Sequence, residues 1–218
     1  MKTTQILFLM GALLFSSFNL AQGQQKVQGE EIHLSKLTLE KKKKHTFQGK
    51  DSILTVYIDT LIMKDKAALQ FYGKKEVNLI IKHAEIGKEA VIYGQGLKNN
   101  GTNFDIAIDF DKLGSLYVFA RGQNANNGSK TFPNGDGGNV NLVYESEGFT
   151  PQTTDKKAKH YIRIDNTEGG LNITPTAEIS NIYARIATSS PGLRGLPQGQ
   201  IYSGSPGKKG QVVLKQKE

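Results

Sequence analysis

Apolar and polar residues alternate along most of this chain, in short runs that polar turns separate. The clearest run lies within Phe104–Phe110, where every second residue is apolar. Alternation with a period of two predicts a strand with one buried face. Equivalent alternation occurs at Val56 and Ile58, at Val77, Leu79 and Ile81, at Leu116 and Val118, at Val140, Leu142 and Tyr144, at Ile162 and Ile164, at Ile182, Ala184 and Ile186, and from Val212 to Leu214. The pattern predicts an all-β fold.

An internal repeat narrows the fold class further. Two modules resemble each other at an offset of 23 residues, and each soon closes on the dipeptide Tyr-Gly. The matching positions are Ile58, Met63, Ala67 and Leu69 in the first module and Ile81, Ile86, Ala90 and Ile92 in the second. Repeats of about 20 to 25 residues suit one coil of a β-helix. We predict a short, irregular, right-handed parallel β-helix with long glycine-rich loops. Because the repeat is clear in only two modules, a β-sandwich or jelly roll is the alternative.

The amino-terminal residues have the layout of a secretory signal peptide. Lys2 precedes an apolar stretch from Ile6 to Phe18, and small residues follow at Ala21 and Gly23. The stretch is shorter than the roughly 20 apolar residues of a membrane-spanning helix. We therefore predict a signal peptide at 1–23, an N-terminal segment at 24–52 and a single β domain at 53–218, with no membrane span in the mature chain.

Charge and cysteine content bound the choice of partners. The chain has 28 Lys and Arg residues against 20 Asp and Glu, a formal charge of +8, and no cysteine. A basic surface favours acidic partners such as anionic glycans, lipid headgroups or acidic protein faces. Export disfavours nucleic acid, and the absence of cysteine excludes disulfides and a cysteine-linked lipid anchor. No motif predicts a cofactor.

Two long glycine-rich loops are predicted, at 121–138 and 189–210. Loops of this length are uncommon in compact domains and are usually functional or disordered. Glycines in the second loop follow three-residue steps, as from Gly204 to Gly207 and Gly210, but the register breaks at Gly199. A triple helix needs glycine at every third residue. We predict instead an extended backbone that packs against a neighbouring surface or stacks on other loops.

Three stretches carry a family resemblance: AVIYGQG, GQNANNGSKTFPNGDGGNVNLVY and GLRGLPQGQIYSGSPGKKGQVVL. Together with the signal peptide, their order resembles exported glycine-rich, collagen-like proteins of Gram-negative bacteria of the Bacteroidetes type. The resemblance implies a cell-envelope protein, an accessory subunit at the outer membrane. Two tripeptides are also similar to the O-glycosylation acceptor pattern of those bacteria, with Ser52 and Thr60 as the acceptors.

Basic and aromatic residues are the candidate binding groups. Four adjacent lysines predict an exposed turn or sheet edge, either a solvated turn or a contact for an anionic surface. Tyrosines and arginines recur near strand ends, either as an interface or as tyrosines that cap the core. The recurring set is Tyr72, Tyr93, Tyr117, Phe119, Tyr144, Tyr161, Tyr183, Tyr202, Arg121, Arg163, Arg185 and Arg194. From these groups we select as binding residues Lys41, Lys42, Lys43, Lys44, Arg121, Arg194 and Tyr202.

The candidate catalytic group is a set of three carboxylates, Asp105, Asp109 and Asp111. Alternation places them on one face of a strand, where they suit glycosidic cleavage or Ca²⁺ binding, or form an ordinary solvent face. The four histidines have no metal-ligand spacing, and no nucleophile motif occurs. We predict a non-catalytic exported envelope protein that binds an outer-membrane protein complex or an anionic glycan. The alternatives are a carbohydrate-active β-helix enzyme and a surface protein that self-assembles through its glycine-rich loops.

Overall fold

The computed structural model describes residues 29–50, 52–125, 132–170 and 205–217, and in these ranges it is all-β. The strands are β1 (Glu30–Leu39), β2 (Lys44–Phe47), β3 (Ile53–Met63), β4 (Ala68–Tyr72), β5 (Glu76–Ile86), β6 (Ala90–Gln95), β7 (Asn103–Leu113), β8 (Ser115–Phe119), β9 (Val140–Ser146), β10 (Tyr161–Asp165) and β11 (Val212–Gln216). The predicted signal peptide lies outside the described residues.

Two parallel sheets stack face to face to form a β-solenoid. One sheet has the order β1-β3-β5-β7-β9-β11 and the other β10-β8-β6-β4-β2. Each coil therefore adds one strand to each sheet, and every pairing between these strands is parallel. The predicted parallel β-helix is confirmed. The sandwich alternative fails because its hairpin and Greek-key connections require antiparallel neighbours.

The sequence repeat corresponds to one coil. Ile58 pairs with Ile81 and Met63 pairs with Ile86 in one sheet, and Leu69 pairs with Ile92 in the other. Residues 30–47, which the sequence analysis set apart as an N-terminal segment, form the first coil of the same solenoid, since β1 pairs with β3 and β2 with β4.

The core lies between the two sheets and consists of side chains at alternate strand positions, which point inward. Central strands show the pattern best: in β7, the large apolar residues Phe104, Ile106, Ile108 and Phe110 are buried and the residues between them face outward. Phe71 packs between two further rings, with centroids 5.0 Å from Phe47 and 5.7 Å from Phe104. Burial of such side chains stabilises each coil by about 1.5–3 kcal/mol per residue.

Connections between strands divide the solenoid into two long edges. On one edge the chain passes from the six-stranded to the five-stranded sheet, mostly through turns of a few residues. Lys42 and Lys66 occupy the left-handed region in two stacked turns, each with a φ of 62°. The connection at 147–160, which is longer, is the exception to these short turns. On the opposite edge, the first two connections (48–52 and 73–75) are short, and the later ones grow longer from coil to coil.

The later connections of that opposite edge pack as stacked glycine-rich segments: 96–102, 120–125, 132–139, 166–170 and 205–211. We call this region the glycine edge. The backbone N–H of Gly135 donates to the carbonyl of Gln123 (2.8 Å), and the N–H of Gly169 donates to the carbonyl of Gly135 (2.9 Å). A Cβ atom on Gly135 would overlap the backbone carbonyl of Asn99, so only glycine fits.

The second predicted glycine-rich loop is described only in its last part. The N–H of Gly207 donates to the carbonyl of Gly169 (3.1 Å), and the N–H of Gly210 donates to the carbonyl of Asn166 (3.3 Å). The predicted stacking on other loops is therefore confirmed for residues 205–210. Residues 189–204 lie outside the described ranges.

Candidate binding surface

The outward face of the five-stranded sheet gathers aromatic and arginine side chains from four successive coils. We define the aromatic–arginine platform as Tyr72, Tyr93, Tyr117, Phe119, Arg121 and Arg163. Strand register brings them together: Tyr93 is opposite Phe119, and Tyr117 is opposite Arg163. Because adjacent strands lie about 4.8 Å apart, residues distant in sequence become direct neighbours.

The platform residues contact one another across the sheet surface. Ring centroids are 5.7 Å apart for Tyr72 and Tyr93 and 6.2 Å apart for Tyr117 and Phe119. The guanidinium carbon of Arg121 lies 4.9 Å from the ring centroid of Phe119, which is cation–π geometry. Tyr72 is 36% exposed and the other three rings are half-buried. The result is a continuous surface with ring edges, hydroxyls and guanidinium groups facing solvent.

Asp165 holds both arginines of the platform. Its carboxylate is 8% exposed and accepts hydrogen bonds from Arg121 and from Arg163, the latter at 3.2 Å. Thr167 donates a further bond through its hydroxyl at 3.0 Å. Burial raises the pKa of Asp165, but the hydrogen bonds from Arg121 and Thr167 and the charge of Arg121 outweigh it and hold that pKa at about 2. The carboxylate is therefore ionised throughout the neutral range.

Tyr93 contributes a neutral hydroxyl to the platform. Burial, with the neighbouring Tyr72, raises the pKa of its phenol, so the hydroxyl keeps its proton at neutral pH. That hydroxyl lies 3.2 Å from Oε1 of Gln95 and donates to it.

A strongly basic strip borders the platform along the edge where the chain enters the five-stranded sheet. We define the lysine edge as the five stacked connections together with the strand residues that adjoin them, at 40–44, 64–66, 87–89, 112–114 and 155–160. Together they contain eleven lysines and four acidic residues. All of the lysines are exposed: Lys41, Lys42, Lys43, Lys44, Lys64, Lys66, Lys88, Lys112, Lys156, Lys157 and Lys159.

Little of this positive charge is neutralised within the described residues. Lys66 is the one lysine of the edge that forms an ion pair there, with Glu89 at 3.2 Å. Asp65 makes a hydrogen bond to the backbone: its Oδ1 accepts the N–H of Lys88 (2.8 Å) and so joins two stacked turns.

A cleft of about 520 Å³ connects the lysine edge with the platform. It is lined by Lys156, Lys157 and Lys159 from the connection at 147–160 and by Lys88 and Glu89 from the connection before β6. Tyr117, a platform residue, also lines the cleft. Cationic groups and an aromatic ring thus face the same concave space.

The sequence-predicted binding residues have different outcomes. Lys41, Lys42 and Lys43 lie in the exposed connection between β1 and β2, and Lys44 is the exposed first residue of β2, so the predicted exposed turn is confirmed. Arg121 belongs to the platform. Arg194 and Tyr202 lie outside the described residues. Tyr144 points into the core and is 8% exposed, beside Phe110 at 6.4 Å between ring centroids.

The three candidate carboxylates lie on the outward face of the other, six-stranded sheet, as the alternation predicts. Each has a different neighbour: Asp105 accepts a bond from Nδ2 of Asn141 (2.9 Å), and Asp111 lies 3.5 Å from Nδ1 of His83. Asp109 is opposite a glutamate of β9. Within the described ranges no three His, Asp or Glu side chains are grouped to hold a metal ion. The arrangement matches that of a solvent-facing strand.

The two predicted glycosylation acceptors lie at opposite ends of β3. Ser52 precedes β3, and its carbonyl accepts the N–H groups of Lys75 (2.7 Å) and Glu76 (3.1 Å). Thr60 is a half-buried residue within β3, paired with Lys36 on one side and His83 on the other. Modification at either residue remains a prediction.

Seven of the eleven edge lysines were not predicted as binding residues, because only the run at 41–44 stands out in the sequence. A periodic signal was present. Lys42, Lys66 and Lys88 follow one another at steps of 24 and 22 residues, close to the coil length, and lie two or three residues after the ends of β1, β3 and β5.

No protein-family model, curated protein or solved structure matches this chain. In the part of the chain that the structure describes, no helix is long and apolar enough to cross a membrane.

Proposed function

We propose that this chain is a non-catalytic, exported cell-envelope protein that binds another macromolecule through the aromatic–arginine platform. The observation that supports the proposal is the platform itself, six aromatic and arginine side chains brought together by the register of four coils. Tyrosine and arginine are the residue types enriched in the energetically dominant parts of protein interfaces.

The platform is also ordered before a partner arrives. Asp165 fixes Arg121 from one side and the Phe119 ring supports it from the other. Three of the four aromatic rings are half-buried, and the strands that carry the rings pair with their neighbours in the sheet. Since immobilising a flexible side chain costs about 0.5–1.5 kcal/mol on binding, this order lowers the entropic cost of association.

Export and envelope location rest on the predicted signal peptide and on the resemblance to exported glycine-rich proteins. Under the proposal, the partner is an outer-membrane protein complex or a glycan of the cell surface. Both have the polar and planar groups that arginine and tyrosine side chains contact well.

Two variants test the proposal. Tyr93→Ala with Phe119→Ala removes the centre of the platform, whereas Tyr57→Ala removes a tyrosine from the outward face of the other sheet. The tagged mature protein is purified from detergent-solubilised native membranes and, separately, titrated with cell-surface glycans. We expect a stoichiometric ligand whose affinity falls at least 30-fold in the platform variant, because loss of a central interface residue costs about 2 kcal/mol or more.

The Tyr57→Ala variant should retain the wild-type affinity. The proposal is wrong if the wild-type protein is recovered alone and retains no glycan, or if both variants bind as the wild type does. Thermal unfolding of both variants shows whether a loss of binding reflects a loss of fold.

A further inference from the structure

We infer that the lysine edge and its cleft bind a linear acidic polysaccharide, which runs across the coils beside the platform. This inference rests on the proposed function and assigns its partner to one chemical class. It follows from where the charge of the chain lies, how that charge is spaced, and what surrounds it.

The positive charge of the chain is concentrated on one edge. The five connections of the lysine edge have an excess of seven positive charges, while the whole chain has a net charge of +8. The rest of the molecule is therefore nearly neutral. A strip of one sign raises the local concentration of ligands of the opposite sign and steers them to it.

The spacing of the lysines matches an extended ligand better than a compact one. Neighbouring connections stack with the strand separation of about 4.8 Å, so the five extend over about 19 Å. Each connection presents at least one exposed lysine, and only Lys66 is compensated by an ion pair within the described residues. A small anion would contact one or two connections, whereas a polymer with regularly repeated acidic groups contacts the whole row.

The cleft distinguishes a sugar polymer from a lipid surface. It is concave, and the lysines of 156–159 line it together with Tyr117, while its one acidic lining residue, Glu89, is paired with Lys66. A polysaccharide chain can place an acidic group between the lysines while the apolar face of a sugar ring packs on Tyr117 or Phe119. A planar membrane surface cannot enter the cleft, nor can it contact the lysine edge and the adjoining sheet face together.

The experiment uses the mature protein and polygalacturonate, with its methyl ester as the uncharged counterpart. Lys156→Gln, Lys157→Gln and Lys159→Gln are combined in one variant. The matched control combines Lys208→Gln, Lys209→Gln and Lys215→Gln, which removes three exposed lysines that are not part of the lysine edge. Affinities are measured by calorimetry at low and high salt.

We expect the wild type to bind polygalacturonate more weakly as salt increases and to bind the methyl ester at least tenfold more weakly. The edge variant should lose roughly 10- to 100-fold in affinity, as expected for three charge contacts at an exposed site, and the control variant less than threefold. Equal losses in the two triple variants would reveal attraction by net charge alone and overturn the inference. Equal or stronger binding to phosphatidylglycerol vesicles would also overturn it, since the edge would then serve a membrane.

The failure of this inference differs from the failure of the proposed function. If polygalacturonate does not bind but a membrane protein is captured and is lost with Tyr93→Ala and Phe119→Ala, the polysaccharide inference is wrong and the proposed function stands. If neither ligand binds, both are wrong.

Discussion

Replacing Asp165 by asparagine isolates the contribution of one nearly buried carboxylate to folding. The group is 8% exposed and has a pKa of about 2, against an ordinary value of 3.8. A difference of one pKa unit corresponds to about 1.36 kcal/mol, so the ionised group stabilises the folded state by about 2 kcal/mol. Because the folded pKa is the lower one, this stabilisation is fully present above about pH 5 and decreases as the pH falls towards 2.

The assay is urea unfolding of wild type and Asp165→Asn between pH 6 and pH 2, monitored by near-ultraviolet circular dichroism of the tyrosines. We expect the variant to be less stable by about 2 kcal/mol at pH 6 and by only about 0.4 kcal/mol at pH 2. Other carboxylates titrate in both proteins and cancel in the difference.

Glu168→Gln is the control, since it removes a carboxylate three residues away that forms no ion pair with the described residues; at pH 6 it should unfold at the wild-type urea concentration. A difference between Asp165→Asn and wild type that stays constant from pH 6 to pH 2 would refute the reasoning. It would show that the side chain acts through its shape or its neutral hydrogen bonds rather than its charge.

Three further substitutions test the packing of the solenoid. Gly135→Ala forces a Cβ atom into the carbonyl of an adjacent segment. We expect the free energy of unfolding, measured with urea, to fall by about 3 kcal/mol and the glycine edge to be cleaved faster by proteases. Ile106→Ala leaves a cavity in the core and should cost about 2–5 kcal/mol, whereas Ile80→Ala on the outward face should cost much less in the same assay. Glu30→Gln removes the charge 3.1 Å from the fully buried Nζ of Lys74; thermal unfolding should show a lower midpoint than wild type, and an unchanged midpoint would mean that other groups stabilise this lysine sufficiently.

The central coils could be predicted from the sequence because their strands are buried on one face along most of their length. Up to Ile81 in β5 and up to Phe110 in β7, every second residue is enclosed by coils on both sides, so polar substitutions are costly there and the period of two is clear. The same enclosure makes the repeat of 23 residues visible, since paired residues such as Ile58 and Ile81 fill equivalent positions.

The first coil was harder to recognise for a physical reason. β1 is the outermost strand of its sheet, and its inward residues Ile32, Leu34 and Leu37 are only half-buried. Polar residues are tolerated beside them, so the alternation is diluted. The diluted alternation consequently predicts a β domain that begins only at residue 53, with 24–52 as a separate segment.

The binding surface could be predicted only in its components. Tyrosines, arginines and a run of lysines are visible in the sequence, but their positions relative to one another depend on the register between coils. Tyr93 and Phe119 are 26 residues apart yet directly opposite each other. Coil lengths vary through the chain, so this register could not be calculated from a fixed repeat.

The glycine edge has a consequence for how such a protein can change in length. Paired residues of the six-stranded sheet are 24 positions apart between β1 and β3, 36 between β7 and β9, and 72 between β9 and β11. Apart from the connection at 147–160, the additional residues enter at the glycine edge. Insertions there leave unchanged the spacing of the paired strands, and with it the spacing of the platform rings that those strands carry. The molecule thus separates a region where evolution can add or remove sequence from a region whose dimensions stay constant, and grafted segments for labelling or immobilisation are best placed at the glycine edge.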